Sequence, residues 1–309
     1  MSTESSIITT SPQHGLISFS LCDFMQVDFP DRGFLLSPII HEQGLTLLYA
    51  YRGVGKTLLA LASALSVASG SKLFHWTCIE PRGVLYIDGE MSAQALQERL
   101  RFLARGAGIN VQETLLQIIT PDTQAHPMPN LALESGQRLV EPHLEGVSLV
   151  IVDNLACLCS MGKENEAESW TPVQRWLLNL KRRGISALIV HHAGKSGEQR
   201  GTSAREDVMD TVVALKHPED YQPEEGARFE VHIKKSRNVA GSMVAPFEAQ
   251  LRQGEESFLW SQSPIHDPQM EEVRALSEQN FSIRAITEKT GIPRTTVHRL
   301  LQKAQQHPL

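Results

Sequence analysis

Ala50-Tyr-Arg-Gly-Val-Gly-Lys-Thr57 is the stretch of sequence that decides the fold, and it lies between an apolar predicted strand and a predicted helix. It follows the phosphate-binding template G-x-x-x-x-G-K-[ST], except that Ala50 replaces the first glycine. Gly53 and Gly55 allow backbone N–H groups to curl around phosphate oxygens, where a Cβ would obstruct the chain. The positive end of the following helix would point at the same anion. The stretch therefore predicts a binding site for a nucleoside triphosphate.

A carboxylate at the end of another apolar strand completes the pattern. Val147-Ser-Leu-Val-Ile-Val-Asp153 ends in an acid, and burial of an acid at a strand end is costly unless the acid is paired. Coordination of Mg²⁺ is the usual pairing, although an Asp after a strand is also typical of a turn or a helix cap. Lys56 would reach the β- and γ-phosphates, and Thr57 and Asp153 would hold Mg²⁺. The residues predicted to bind ATP are Ala50, Arg52, Gly53, Val54, Gly55, Lys56, Thr57 and Asp153.

The surrounding sequence alternates apolar strands with helices. We predict strands over residues 44–50, 83–88, 115–120, 147–153 and 186–191, and helices over residues 56–68, 92–104 and 170–183. Strands of almost continuous apolar content imply a parallel sheet that is covered on both faces. After residue 211 the pattern changes, and strands over 211–216, 228–234 and 258–260 predict an antiparallel extension. The predicted class is α/β, with a mostly parallel sheet flanked by helices and a small all-α tail.

Length and composition set limits on the possible classes of protein. The 309 residues, of which 41% are hydrophobic and 21% charged, suit one large α/β domain with a small appendage. A net charge of −6 excludes a global positive field, so any contact with DNA must come from local basic surface. The four cysteines form no C-x-x-C pair, and no apolar run nears the ~20 residues of a membrane span. We expect a cytoplasmic protein with reduced thiols.

Four segments are predicted along the chain. Residues 1–15 are a disordered lead-in without the layout of a signal peptide. Residues 16–260 are the ATPase domain, in which residues 16–43 form an irregular N-terminal cap. Residues 261–269, polar and with two prolines, are a linker. Residues 270–309 are a helix-turn-helix DNA-binding unit.

Several segments resemble the RecA/DnaB superfamily of P-loop ATPases, and within it the RepA-like plasmid helicases and related ATPases of mobile elements. The resemblance covers residues 44–251, and the DnaB-type P-loop also commonly lacks the first glycine. The other segments that carry the resemblance are Asp88-Gly-Glu-Met-Ser92, Leu188-Ile-Val-His-His-Ala-Gly-Lys195, Arg200-Gly-Thr-Ser-Ala-Arg-Glu-Asp-Val-Met-Asp210 and Ile233-Lys-Lys-Ser-Arg-Asn238. A RecA-like fold and ATP hydrolysis are what this resemblance implies.

The resemblance also implies catalytic roles next to Lys56. Glu90 would activate or orient the attacking water, with Asp88 as its competitor, and a purely structural role for both is to cap the helix that follows. His192 would sense the γ-phosphate, where RecA and DnaB use Gln. The alternative is that one of His191 and His192 packs in the core and the other is solvated.

The K-x-R-N segment predicts an oligomer. In the family, its Lys and Arg point into the nucleotide site of the neighbouring subunit, so the resemblance implies that Lys235 and Arg237 act in trans. Arg suits this role because its planar fork can neutralise phosphate charge in the transition state. We expect a homo-oligomer, with a hexamer as the predicted ring. The alternative is a basic strand end on a solvated rim.

Family members contact single-stranded DNA through two loops, which correspond here to residues 159–169 and 193–203. The second loop offers Lys195 and Arg200 among small residues, which suits contact with a phosphate backbone. The first contains Lys163 beside Glu164, Glu166 and Glu168, which is unfavourable for phosphate contact. Neither segment carries an aromatic residue on which a base could stack.

The C-terminal tail carries a second DNA-binding signal. Apolar residues from Phe281 to Leu301 have the spacing of two short packed helices, and Gly291 lies where a helix-turn-helix has its turn. Pro293 suits the start of the second helix. The unit resembles the helix-turn-helix of resolvases and transcription regulators, and a small protein-docking module is the alternative. The residues predicted to contact DNA are Arg294, Thr295, Thr296, His298 and Arg299.

Three functions remain open at this point. The first is an oligomeric, ATP-driven DNA motor, a RepA-like replication helicase of a plasmid, phage or integrated element. The second is a DNA-binding regulator that ATP controls without unwinding, which the loops without aromatic residues and the C-terminal tail favour. The third is a metabolic kinase, for which the sequence shows no recognisable pocket for an acceptor substrate.

Overall fold

The computed structural model describes residues 17–159, 167–193, 204–237, 239–265 and 268–306. The chain divides into two compact units, Met1–Gly33 and Phe34–Leu309. In the first unit the short helix α1 is Leu21–Phe24, and the hydroxyl of Ser20 caps it by accepting the N–H of Asp23. The ring of Phe24 contacts those of Phe19 and Phe29. Among the described residues, no helix is both long and apolar enough to cross a membrane.

The second unit is built on a nine-stranded sheet. Its strands are β3 (Leu45–Ala50), β4 (Gly83–Asp88), β5 (Leu116–Ile119), β6 (Val147–Asp153), β7 (Ser186–His192), β8 (Thr211–Lys216), β9 (Arg228–Ser236), β10 (Phe247–Gln253) and β11 (Phe258–Pro264). Their order is β11-β10-β9-β8-β3-β7-β6-β4-β5, parallel from β8 to β5 and antiparallel from β8 to β11. A separate pair joins β1 (Phe34–Leu36) to β2 (Ile40–His41). The predicted fold class is confirmed.

Helices cover both faces of the sheet. In chain order they are α2 (Lys56–Ser69), α3 (Ala93–Gly106), α4 (Glu134–Val140), α5 (Leu155–Leu158), α6 (Ala167–Arg182) and α7 (Ala204–Asp207). Successive side chains of a strand point to opposite faces, so Leu48 belongs to the apolar cluster that includes α2 and α3, and Leu47 belongs to the cluster that includes α4, α5 and α6. This double burial explains why the central strands read as continuous apolar runs.

The C-terminal tail contains three helices instead of the two that the sequence predicts. They are α8 (Pro268–Glu278), α9 (Ile283–Thr290) and α10 (Arg294–Gln306), and they enclose an apolar cluster of their own. Gly291 adopts the left-handed conformation, with φ of 72°, between α9 and α10, as predicted for the turn. Helix α8 was missed because its charged residues mask the inward positions Val273 and Leu276.

The segment predicted as linker, residues 261–269, is largely regular structure. Strand β11 continues to Pro264 and pairs with β10 along its whole length, and α8 begins at Pro268. Strand β11 lies at the edge of the sheet, where one face stays polar and a terminal proline is tolerated. Trp260 anchors it against Phe74 and Phe229. The prediction of a three-residue strand was therefore too short.

Asp210 lies just before β8 and joins this strand to β3 and α6. Its carboxylate accepts hydrogen bonds from the Leu45 N–H at 2.9 Å and the Lys181 ammonium at 2.6 Å. Burial raises the pKa of Asp210, but these bonds outweigh it, and the pKa lies below its usual value. A carboxyl with a lowered pKa stabilises the fold at neutral pH, and that stabilisation is lost as the pH falls through the lowered pKa.

We therefore expect Asp210→Asn to lower the free energy of unfolding by about 2 kcal/mol at pH 7. The difference between wild type and variant should shrink as the pH falls toward the pKa of Asp210 in the folded chain. Urea unfolding at several pH values measures both. The matched control is Glu278→Gln, which breaks an exposed ion pair with Arg274 and should change stability by less than about 0.5 kcal/mol. Equal loss for the two variants would contradict the assignment.

Candidate nucleotide-binding site

The loop between β3 and α2 has the backbone of a phosphate cradle. Gly53 and Gly55 have φ of 82° and 126°, a region that side chains other than glycine rarely adopt. A Cβ on Gly55 would lie 2.6 Å from the ring of Phe229, so a larger residue does not fit there. Gly55 precedes α2 without a side-chain cap, which leaves the first N–H groups of a 14-residue helix to an anion.

Lys56 folds back over the same loop. Its ammonium donates to the carbonyl oxygens of Ala50 at 3.1 Å and Tyr51 at 2.9 Å, and the residue is 5% exposed. An ammonium has three donors, so these two bonds leave one for a phosphate oxygen. Burial lowers the pKa of Lys56 to about 8, against the opposing effect of the Asp153 and Glu90 carboxylates. An anion in the cradle would favour the charged form.

Asp153 ends β6 in a buried position beside α2. Its Oδ2 accepts the hydroxyl of Tyr86 at 2.7 Å, and a further hydrogen bond joins it to Thr57. Burial nevertheless raises the pKa of Asp153. Hydroxyl and carboxylate oxygens side by side are the ligands that Mg²⁺ takes in proteins, so this pair fits the cation. Tyr86 was treated only as part of a strand, although a hydroxyl in an apolar strand is a signal for a polar partner.

The two acids at the end of β4, Asp88 in the strand and Glu90 just after it, have different surroundings. Asp88 is buried, and its carboxylate accepts the N–H groups of Glu90 and Met91 and the hydroxyl of Thr120 at 3.0 Å. Its oxygens therefore hold the turn together. Glu90 is exposed, and its Oε2 accepts from the side-chain amide of Asn154 at 2.7 Å. The geometry favours Glu90 over Asp88 as the acid that faces the site.

Asn154 is a residue that the sequence analysis missed. It follows Asp153 across a cis peptide bond and is buried. Its amide Nδ2 lies 2.7 Å from Glu90 and 3.4 Å from Nε2 of His192, and its Oδ1 accepts the N–H of Cys157 at the start of α5. An Asn before a helix reads as an ordinary cap in a sequence. In the structure the same side chain bridges the ends of three strands.

The two histidines of β7 lie on opposite faces of the sheet. His192 is half-buried and faces Asn154, on the side of the P-loop. His191 is 1% exposed and lies 2.7 Å from the guanidinium of Arg205. The sequence analysis predicted His192 as the sensor, with one packed and one solvated histidine as the alternative, and did not identify Arg205. The structure brings His192 to the site and separates His191 from it.

Lys235 and Arg237 lie away from the P-loop of their own chain. Lys235 on β9 pairs with Val212 on β8, and Val212 pairs with Leu47 on β3. Leu47 precedes Ala50 by three residues, so Lys235 lies roughly 10 Å from the level of Ala50, measured along the strands. Lys235 donates to the carbonyl oxygens of Glu206 and Asp207, and Arg237 donates to that of Asp207 at 2.9 Å. Both side chains therefore lie toward the amino ends of the parallel strands, and the P-loop lies at their carboxyl ends.

The predicted DNA-contacting residues divide into two groups. Lys195 and Arg200 lie outside the described residues. On α10 the side chains of Arg294, Thr295, His298 and Arg299 are exposed, and that of Thr296 is half-buried. Val297 and Leu300 face the apolar cluster of the tail. The polar residues of α10 are thus available to a partner.

Comparisons with known proteins support the same fold. A protein-family model described as an AAA domain matches residues 14–198. A KaiC-like protein from the hyperthermophilic archaeon Pyrococcus horikoshii has 16% identity and a TM-score of 0.51, over 74% of this chain and 93% of that chain. A RadB recombinase has 17% identity and a TM-score of 0.46, over 71% and 90%. No curated protein sequence matches significantly. At such identity, the first structural likeness shows a shared RecA-like fold.

Proposed function

The chain belongs to the AAA domain family and is a RecA-like P-loop ATPase, and from this premise we propose that it is an oligomeric, ATP-hydrolysing motor that acts on DNA. The observation that carries the proposal is that the proposed catalytic groups lie at both ends of the parallel strands, some at the carboxyl ends and some toward the amino ends. Lys56, Asp153, Glu90 and His192 meet at the carboxyl ends of the parallel strands. Arg237 lies toward the amino ends of the same strands, and we assign it to the nucleotide site of a neighbouring protomer.

Each group at the carboxyl edge has a proposed task. Bound Mg²⁺–ATP would supply the γ-phosphate to be transferred and the cation that neutralises its charge. The N–H groups of the loop and Lys56 would hold the phosphates, and Thr57 and Asp153 would hold the cation. Glu90 accepts the proton of the attacking water. Asn154 fixes the Glu90 carboxylate through the 2.7 Å bond and leaves its second oxygen for that water.

His192 is proposed to report the loss of the γ-phosphate. It pairs with Ala50 at the start of the P-loop, and its ring lies 3.4 Å from the amide of Asn154. A change in the position of Glu90 or Asn154 would therefore reach the end of β7. The segment that follows β7 is the second of the two predicted DNA loops. This connection supports a motor, in which hydrolysis moves a DNA-contacting segment.

Lys235 and Arg237 are proposed to complete the site of a neighbouring protomer. The carbonyl oxygens at the carboxyl end of α7 hold both cations at the edge of the sheet before assembly. Half of the Arg237 side chain is exposed, so it can meet a neighbour. A closed ring, a hexamer in our proposal, is the simplest assembly in which every site receives such a pair.

The test of the motor is ATP hydrolysis with and without single-stranded DNA, measured together with native mass. Wild type is expected to form a hexamer whose turnover rises at least about tenfold with single strands. Lys56→Ala should assemble and not hydrolyse ATP. This result supports a RepA-like replication helicase of a plasmid, phage or integrated element. A hexamer without stimulation by single strands would reject the motor.

An ATP-controlled regulator is the second candidate, because the tail offers a separate surface for DNA. Its three helices enclose an apolar cluster of their own, which supports the proposal that residues 270–309 are a DNA-binding unit inside the compact unit Phe34–Leu309. Stimulation only by duplex DNA that contains a particular site would favour this candidate. A metabolic kinase would instead transfer phosphate to a small acceptor.

We expect Arg294→Ala combined with Arg299→Ala to weaken duplex DNA binding by at least about tenfold, because each lost contact costs about 1–3 kcal/mol. The basal rate of ATP hydrolysis should stay within about twofold, since neither residue belongs to the nucleotide site. Fluorescence anisotropy with labelled duplex measures the affinity. Arg274→Ala on α8 is the matched control. Unchanged affinity in the double variant would favour a protein-docking role for the tail.

A further inference from the structure

Arg205 is a buried cation on α7 that the proposed catalytic cycle does not use. It is 6% exposed, and its guanidinium carbon lies 5.9 Å from the ring centre of Trp170, which is itself 4% exposed. Its Nη1 lies 2.7 Å from Nε2 of His191. Burial of a guanidinium is costly unless specific partners hold it, so these contacts define one position for the side chain.

The chemistry of Arg205 also fixes the state of His191. A guanidinium can only donate hydrogen bonds, so Nε2 of His191 accepts and carries no proton. His191 lies next to His192 on β7, and the two side chains point to opposite faces of the strand. Movement of this strand end at the nucleotide site thus moves the partner of Arg205.

The contacts of Arg205 join the ends of both predicted DNA loops. His191 precedes the predicted loop 193–203, and Arg205 follows it. Trp170 lies on α6, directly after the predicted loop 159–169, and Cys159 is the first residue of that loop. Burial raises the pKa of the Cys159 thiol to about 12, and the positive charge of Arg205 opposes this rise. Two described residues next to the two loops, Trp170 and His191, therefore meet at the guanidinium of Arg205.

Helix α7 also contacts the proposed trans residues. The carbonyl oxygens of Glu206 and Asp207, directly after Arg205, accept from Lys235 and Arg237. Movement of α7 would therefore reach the cations that serve the neighbouring protomer. Strand β7, the flanks of both loops and the trans residues share this four-residue helix as their connection.

We propose that Arg205 is a positioning residue that couples the nucleotide site to the flanks of both predicted DNA loops. The inference rests on the proposed function for its DNA side, because the loops are assigned to DNA there. Its nucleotide side stands on the contacts of His191, Arg205 and Trp170 alone. Nucleotide binding at the P-loop changes the order of α7 and of the start of α6, and Arg205 transmits this change.

The test is hydrogen exchange in peptides that cover residues 167–176 and 204–210, with and without a non-hydrolysable ATP analogue and Mg²⁺. In wild type the analogue should slow exchange in both peptides by at least about fivefold. Arg205→Met, which keeps the length of the side chain and removes the guanidinium, should abolish this protection while the affinity for the analogue stays within about twofold. Arg182→Met, the same change at an exposed position of α6, should retain it. Protection that persists in Arg205→Met, or is absent from wild type, overturns the inference.

A second readout separates this inference from the proposed function. Arg205→Met should keep the basal rate of hydrolysis and lose at least about tenfold of its stimulation by single-stranded DNA, whereas a purely structural residue would lower both together. If wild type is not stimulated, the motor is rejected and the exchange experiment still decides the coupling. If Arg205→Met does not fold, Arg205→Lys decides, because it keeps a donor for His191 and lacks the planar fork over Trp170. In Arg205→Lys, the slowing of exchange by the analogue should fall to about half of the wild-type value on a logarithmic scale. Slowing equal to that of wild type would overturn the coupling.

Discussion

Glu90→Gln is expected to reduce the rate of ATP hydrolysis by about a hundred- to ten-thousand-fold, while the affinity for ATP stays within about threefold of wild type. Gln has the same shape as Glu and can still accept the amide hydrogen of Asn154, so the geometry of the site is kept. It cannot accept a proton from the attacking water. Single-turnover hydrolysis and binding of a fluorescent ATP analogue measure the two quantities separately.

Asp88→Asn is the matched control for this prediction, since the two acids lie two residues apart. The Asp88 carboxylate holds the turn by accepting N–H groups and the Thr120 hydroxyl, so its loss should lower the stability. The free energy of unfolding should fall by about 1–3 kcal/mol. In the folded fraction, turnover should fall less than in Glu90→Gln. A larger loss of turnover in Asp88→Asn would transfer the role of the base to Asp88.

Arg237→Ala is expected to lower turnover by about a thousand-fold or more, which is the range for an arginine that neutralises transferring phosphate in trans. Nucleotide affinity should change by less than about threefold, because the P-loop of the same chain is distant from Arg237. The native mass should remain that of the wild-type oligomer. Steady-state hydrolysis at a protein concentration above that of assembly measures the effect.

The control for Arg237→Ala removes an arginine from a neighbouring strand. Arg252 is exposed near the end of β10, and Arg252→Ala should leave turnover within about twofold of wild type. A second control is dilution, since a monomer should hydrolyse ATP poorly whatever residue stands at 237. A monomeric preparation with full turnover that is insensitive to Arg237→Ala would contradict the trans assignment.

The fold could be predicted from the sequence because the central strands are buried on both faces. Strands β3, β6 and β7 read as almost continuous apolar runs, and each ends in the residue that the P-loop and strand-end patterns identify. Edge elements were predicted less well. Strand β11 has apolar residues only in its first three positions and continues with Ser-Gln-Ser-Pro, so the sequence predicted three residues where the structure has seven.

The partners of the candidate site could not be predicted because they depend on contacts between distant parts of the chain. Asn154 bridges Glu90 and His192, which are 64 and 38 residues away from it in the sequence. Tyr86 reaches Asp153 across 67 residues. Arg205 is an ordinary charged residue in a short polar helix until the structure places His191 and Trp170 beside it. Motifs identify groups that touch the nucleotide, and side-chain contacts identify groups that position them.

The most direct test of the shared active site is to mix two inactive variants, Glu90→Gln and Arg237→Ala. Each variant lacks one half of every site when it assembles alone. In a mixed ring, about a quarter of the interfaces combine the intact Glu90 of one protomer with the intact Arg237 of its neighbour. Our account predicts that mixing restores hydrolysis to about this fraction of the wild-type rate. Turnover of the mixture that equals the mean of the two separate variants, in rings shown by native mass to contain both, would contradict it.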